Sequence, residues 1–187
     1  YGITPRMAFA DLARYPMAKA AVEPALWDLY GKIVGKPLSK LIGGSNQEKI
    51  LGGAVIGLGT ADEVCAQVDA AVQAGYTRVK LKVKPDTVLA CVEAIRKAHP
   101  DLIIMLDANQ SFDESNLDIL RKLDEFDIAC IEEPYNPSFV PRNGDTNLFA
   151  RLSDLQEHIK TPVCLDESVV TAQDMEEAMD FNNLKCY

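Results

Sequence analysis

Apolar positions recur at helical spacing early in the chain: Met17, Ala20, Ala21, Ala25, Leu26, Leu29 and Ile33 predict a helix over residues 17–34. Pro24 is expected to kink it, and Gly35, Pro37 and Gly43-Gly44 punctuate its exit. The pattern changes near residue 50. Short apolar runs then alternate with amphipathic stretches. The runs Leu51–Ile56, Arg78–Val83, Leu102–Leu106, Ile128–Ile131 and Val163–Leu165 predict strands. Between them, a capping box at Thr60-Ala-Asp-Glu63 opens a helix that stops at Gly75, and further helices are expected over 87–98, 115–125, 147–158 and 171–180. Short buried strands separated by helices are the mark of a parallel sheet covered on both faces. On the pattern alone, an open doubly wound sheet and a closed barrel both remain. The positions of the polar residues decide between them.

Composition narrows the function classes. A hydrophobic content of 48% in 187 residues supports a sizeable core, and the net charge of −9 with a pI near 4.7 speaks against binding a phosphate backbone. The same charge speaks against a polybasic membrane contact, and no apolar run approaches the roughly 20 residues needed to span a bilayer. The start of the chain carries no charged segment followed by an apolar one, so no signal peptide is expected. The five cysteines (65, 91, 130, 164 and 186) form no CxxC pair, and Cys130 and Cys164 sit in apolar runs. Reduced thiols in a cytoplasmic protein are expected. His99 and His158 lie near helix ends and are expected to be structural or solvated.

The candidate chemistry sits at the strand ends. Three runs lead into carboxylates: Leu-Asp107-Ala-Asn109, Ile-Glu132-Glu133-Pro134 and Leu-Asp166-Glu167-Ser168. The first two are separated by one βα unit; the second and third by one unit plus an extra loop, Asn136–Asp145. In a parallel barrel the C-terminal strand ends ring the face that carries the active site. Three carboxylates there repel one another unless a cation neutralises them, and all-oxygen ligands suit a hard divalent ion such as Mg²⁺. A single strand-end acid is more simply a helix cap; three in succession favour a site. In Val79-Lys80-Leu81-Lys82-Val83, alternation sends Val79, Leu81 and Val83 towards the outer helices and Lys80 and Lys82 towards the interior. Alone, these lysines would suit a half-exposed edge strand. An interior lysine is costly unless paired, and burial and a nearby cation readily lower its proton affinity; facing a carboxylate-bound metal, Lys82 could take a proton from the carbon beside a substrate carboxylate. The ion would stabilise the resulting ene-diolate. A lysine or histidine base with Mg²⁺ is the known pattern of the enolase superfamily.

Lys80-x-Lys82, Asp107-Ala-Asn109, Glu132-Glu133-Pro134 and Asp166-Glu167-Ser168 together resemble the muconate-lactonizing-enzyme subgroup of that superfamily. Ala20–Lys32 and Pro37–Gly44 resemble the end of its capping domain, so the likeness spans nearly the whole chain. It implies an α/β fold, a TIM-type (β/α)7β barrel incomplete in this chain. Residues 1–48 would be the helical end of an α+β capping domain, and 49–187 barrel strands 1–5 with the following helix. It implies Asp107, Glu132 and Asp166 as metal ligands, Lys82 as catalytic base or acid, Lys80 as the group that tunes it, and Asn109 and Glu167 as residues orienting these. Mg²⁺ is the implied cofactor, with Mn²⁺ as its substitute, and a small carboxylate the implied substrate; a homo-oligomer is an expectation.

Pro162–Ser168 is most similar to the o-succinylbenzoate synthases, lyases of menaquinone biosynthesis, and to relatives that racemise N-succinylamino acids. Dipeptide epimerases and muconate cycloisomerases share the class. The opposite-face lysine of the family is expected beyond Tyr187, Lys185 being too early, so the chain is expected to be part of a longer protein. The loop after Glu133 is longer than the resemblance implies. Two readings from other classes remain: a Schiff-base, aldolase-like barrel using Lys80 or Lys82, and a catalytically inactive piece whose exposed strand edges favour self-association.

Overall fold

The structure, a computed structural model, describes residues 15–44, 51–141, 144 and 146–184. Lys185, Cys186 and residues 142, 143 and 145 of the extra loop lie outside the described residues. The chain divides into two compact units, residues 1–51 and 52–187.

In the first unit, helix α1 spans Pro16–Val34. Proline is well placed at its first turn, where no intrahelical N–H partner is lost. The helix runs unbroken through Pro24 and ends at Gly35, whose left-handed φ of 67° lets its N–H donate to the Gly31 carbonyl. Gly31 is required by packing: a Cβ there would stand 2.9 Å from the Lys36 carbonyl oxygen. A short helix, α2 (Leu38–Leu41), follows Pro37.

The second unit alternates strand and helix: β1 (Ala54–Ile56), α3 (Ala61–Gln73), β2 (Arg78–Lys82), α4 (Val88–Ala98), β3 (Ile103–Asp107), α5 (Leu117–Leu123), β4 (Cys130–Glu132), α6 (Leu148–His158), β5 (Val163–Cys164) and α7 (Ala172–Met179). The five strands pair in parallel in the order β1-β2-β3-β4-β5. A doubly wound sheet reverses its strand order at a switch point. Here every βα unit advances in the same direction, as closing a barrel demands. The fold is that of an incomplete TIM-type barrel.

Local sequence explains the boundaries. Gly52-Gly53 shorten the first strand, which begins only at Ala54. Thr60 and Glu63 form the expected capping box, and α3 closes through Gly75 at φ 93°, with the Tyr76 N–H donating to the Ala71 carbonyl. The helix expected over 115–125 is broken into a 3₁₀ turn at Glu114–Asn116, α5, and a second 3₁₀ turn at Asp124–Phe126. Asp113 takes the first turn, accepting from the Ser115 N–H at 2.8 Å. The strands over 102–106 and 128–131 extend further than the apolar runs, so that Asp107 and Glu132 are the last residues inside the ladder.

The core lies between sheet and helices. Val79, Leu81, Ile104, Leu106, Ile131 and Val163 from the strands meet Val68, Val92, Ile95, Leu120, Leu152 and Leu155 from the helices, all buried. Cys91 and Cys130 are buried, and Cys65 and Cys164 half-buried. His99 pairs with Asp69 at 2.6 Å and His158 contacts the Asp154 carbonyl at 2.8 Å, both away from the strand ends. Arg96 ties α4 to the turn after α5, donating to the carbonyls of Phe126, Pro100, Leu102 and Asp127 at 2.8–3.1 Å. Among the described residues no helix is long and apolar enough to cross a membrane.

Candidate active site

Strand register assembles the site. Lys82, Asp107 and Glu132 are direct partners across β2, β3 and β4, and neighbouring strands lie about 4.8 Å apart. With Val79 and Leu81 packed outward, Lys80 and Lys82 are left half-buried on the inner face, their side chains 28% and 34% exposed.

There the lysines meet the carboxylates. Lys82 Nζ lies 2.6 Å from Asp107 Oδ2 and 2.8 Å from Asn109 Oδ1. Lys80 Nζ lies 2.9 Å from the same Asp107 oxygen and 2.7 Å from Glu132 Oε1. Asn109 then donates through Nδ2 to Glu167 Oε1 at 2.8 Å, and its backbone N–H donates to Asp107 Oδ1 at 3.1 Å. Six of the seven residues singled out in the sequence thus form one connected network. The seventh, Asp166, is exposed on the turn after β5, where its carboxyl approaches Glu132.

The electrostatics follow from this crowding. Burial works against the charged form of Lys80, but Glu132 and Asp107 together outweigh it and hold the ammonium above the usual lysine range. This is opposite to the lowered affinity expected of an interior lysine, because two carboxylates lie within 2.9 Å of Nζ. Burial alone would raise Asp107, yet Lys82 and Lys80 on one oxygen bring it below the usual aspartate range. Burial and the Asp107 and Asp166 carboxylates push Glu132 up, against its pairing with Lys80.

The donor set fits a hard divalent cation: three carboxylates, all oxygen, at the ends of consecutive strands. Among the described residues, however, no three acidic, histidine or cysteine side chains stand close enough together to enclose a metal ion as they are. The two ammoniums occupy the Asp107 and Glu132 oxygens that a cation would share.

Several residues were not singled out from the sequence. Glu133 is fully buried behind Glu132, with its carboxylate turned to the β5–α7 turn. Arg151 on α6 is buried and holds Glu114 through Nε at 2.6 Å and Nη2 at 3.2 Å. It also donates to the Asn136 carbonyl at 3.2 Å and lies over the Tyr135 ring at 5.5 Å. It thereby anchors the start of the extra loop beside the site. An arginine at helical spacing reads as a solvated residue; its carboxylate partner, Glu114, comes from the preceding βα unit, and Asn136 and Tyr135 from the loop that leads into α6.

Comparison with known proteins agrees with this architecture. Residues 63–186 match the family described as enolase C-terminal domain-like, and residues 4–43 match the mandelate racemase / muconate lactonizing enzyme N-terminal domain. The o-succinylbenzoate synthase of Listeria innocua is 39% identical over 163 residues, covering 87% of this chain and 41% of the relative. The N-succinylamino acid racemase of Thermus thermophilus is 33% identical over 178 residues, covering 94% of this chain and 45% of the relative. A solved enolase-superfamily member from Listeria innocua superposes with a TM-score of 0.81 at 34% identity, over 98% of this chain and 48% of that one. The chain spans less than half the length of these relatives. With both family domains matched in order and the strand-end carboxylates and lysines on one barrel face, the chain belongs to the enolase superfamily, in its muconate-lactonizing-enzyme subgroup.

Proposed function

We propose that the complete protein is a Mg²⁺-dependent lyase of the o-succinylbenzoate synthase type, which removes the proton beside a substrate carboxylate. The observation that carries this is the registered row Lys82-Asp107-Glu132, which sets a candidate base against two candidate metal ligands on one face. Asp107, Glu132 and Asp166 would hold the ion. When bound, the ion supplies positive charge where negative charge builds on the substrate carboxylate.

The chain's own residues supply the rest. Lys82 Nζ, at the inner face with its side chain 34% exposed, first gives its own proton to solvent and then, as the neutral amine, takes the substrate proton. Asn109 Oδ1 fixes the direction of that Nζ, and Glu167 fixes Asn109 in turn. Lys80 stays charged between Asp107 and Glu132 and adds positive potential without titrating. That same charge argues against a Schiff-base mechanism through Lys80, which needs a neutral amine. Racemisation of N-succinylamino acids is the second reading. It is favoured by the Thermus thermophilus relative and uses the same proton removal.

The test is turnover of the cyclohexadiene carboxylate and of an N-succinylamino acid by the complete protein, with EDTA and then with Mg²⁺ restored. Dehydration lost with EDTA and regained with Mg²⁺ supports the lyase. Racemisation alone supports the second reading. EDTA-insensitive turnover would refute both.

A further inference from the structure

Glu133 is an unusual place for a charge. Its side chain is fully buried, and it follows directly on Glu132 at the end of β4. Its φ of 42° is left-handed although it is not glycine, and it precedes Pro134, whose ring disfavours helical conformations in the residue before it. The two other strained residues nearby, Asn109 and Gln110 at φ 41° and 60°, lie on the turn after β3. Backbone strain of this kind persists where the surroundings over-determine it and collects at functional sites.

The surroundings of Glu133 are specific. Oε1 accepts from the backbone N–H groups of Asp166 and Ser168, both at 2.8 Å, and from the Ser168 hydroxyl. Oε2 faces Gln110 Nε2 at 3.4 Å, and the Glu133 carbonyl accepts from the Gln110 N–H at 2.7 Å. The Glu133 N–H donates to the Cys164 carbonyl at 2.9 Å. One residue therefore joins the turn after β3 to the turn after β5. Between its two backbone donors stands Glu167, which accepts from Asn109, which in turn accepts from Lys82.

We propose that Glu133 is a positioning residue for the site: its buried carboxylate clamps the Asp166-Glu167-Ser168 turn and so sets both Asp166 and, through Glu167 and Asn109, Lys82. The inference rests on the reading of Asp166 as a metal ligand. What matters is the acceptor at Oε1, because two N–H groups and a hydroxyl converge on that atom. An amide oxygen in the same place keeps those bonds; an apolar side chain of the same length leaves three donors without an acceptor.

The experiment is Mg²⁺ titration by calorimetry on the complete protein, with circular dichroism as the check on folding. The wild type is compared with Glu133→Gln, Glu133→Met and Ser168→Ala, and Asp107→Asn serves as the control for the metal site. Removing a group that orients a metal ligand typically weakens binding 10–100-fold. Glu133→Met is expected to weaken Mg²⁺ by about that factor, Glu133→Gln to stay within about threefold of wild type, and Ser168→Ala to fall between them. A Glu133→Met protein that is folded and binds like wild type overturns the proposal, as does a Glu133→Gln protein as weak as Glu133→Met. If Glu133→Met does not fold, an unchanged Ser168→Ala overturns it and a weakened one supports it. A wild type that does not bind Mg²⁺, or an Asp107→Asn control that binds equally well, refutes the functional reading and this inference with it. A sound wild type and control with indifferent Glu133 and Ser168 variants refute this inference alone.

Discussion

Replacing Lys82 by methionine separates proton transfer from ion binding. The substitution keeps the length of the side chain and removes Nζ from its positions 2.6 Å from Asp107 Oδ2 and 2.8 Å from Asn109 Oδ1. A positioned general base contributes about 10²–10⁴-fold to rate, or roughly 3–5 kcal/mol of barrier at about 1.4 kcal/mol per decade. Activity should fall by at least that much. Ion binding should move the other way. The lysine competes for the Asp107 oxygen, but its side chain is 34% exposed, so its pairing is discounted to about 1 kcal/mol or less. Mg²⁺ affinity should therefore hold or tighten by up to about fivefold. The assay is exchange of the α-proton of an N-succinylamino acid into D₂O, followed by NMR, beside calorimetric titration of Mg²⁺. Exchange at the wild-type rate would falsify the assignment of Lys82 as the base. A tenfold loss of Mg²⁺ affinity would show instead that Lys82 holds the carboxylates in place.

Two further predictions concern the folded state. Arg151→Met should destabilise the protein by about 2–3 kcal/mol in urea denaturation, less than the 3–5 kcal/mol of a fully buried pair, because Glu114 keeps a 30% exposed side chain that water can reach. Glu114→Gln, which leaves the Arg151 guanidinium, on a side chain 2% exposed, without its counter-charge, should cost at least as much as Arg151→Met, and a clearly smaller cost would contradict the account. The site carboxylates should show opposite pH dependences in the absence of divalent ions. Asp107 is held below its usual range, so its contribution is present above that range and lost as pH falls through its native pKa; the deficit of Asp107→Asn should shrink on acidification. Glu132 is raised by burial and by Asp107, so its native form favours the proton and its contribution is lost as pH rises through its native pKa. Glu132→Gln should then cost little stability at pH 7 while weakening Mg²⁺ binding, and a large loss at pH 7 would contradict the assignment.

The sequence showed the alternation of strand and helix clearly, because buried parallel strands are short apolar runs and the Thr60 capping box is local chemistry. It also showed that Lys80 and Lys82 share a face, because strand alternation is strict. What it could not show is which acids lie inside the ladder. Asp107 and Glu132 pair in register as strand residues, whereas Asp166 stands two residues past β5 on an exposed turn, although all three follow apolar runs. Glu133 and Arg151 were hidden for a different reason. Each is a charged residue whose burial depends on partners from another βα unit: Asp166 and Ser168 for the first, Glu114 for the second. Nothing within a few residues of either signals that pairing. The split of the helix expected over 115–125 was likewise unseen, since Leu117–Leu123 keeps its apolar spacing while Asp113 and Asn116 turn the start into a 3₁₀ cap.

The central claim is that the strand-end carboxylates hold a divalent ion which the two lysines face. Calorimetric titration of Mg²⁺ into the complete protein, wild type against Asp107→Asn, tests it most directly. Saturable binding that is lost or weakened at least tenfold in Asp107→Asn is the predicted result; no binding by the wild type, or equal binding by both, would contradict it.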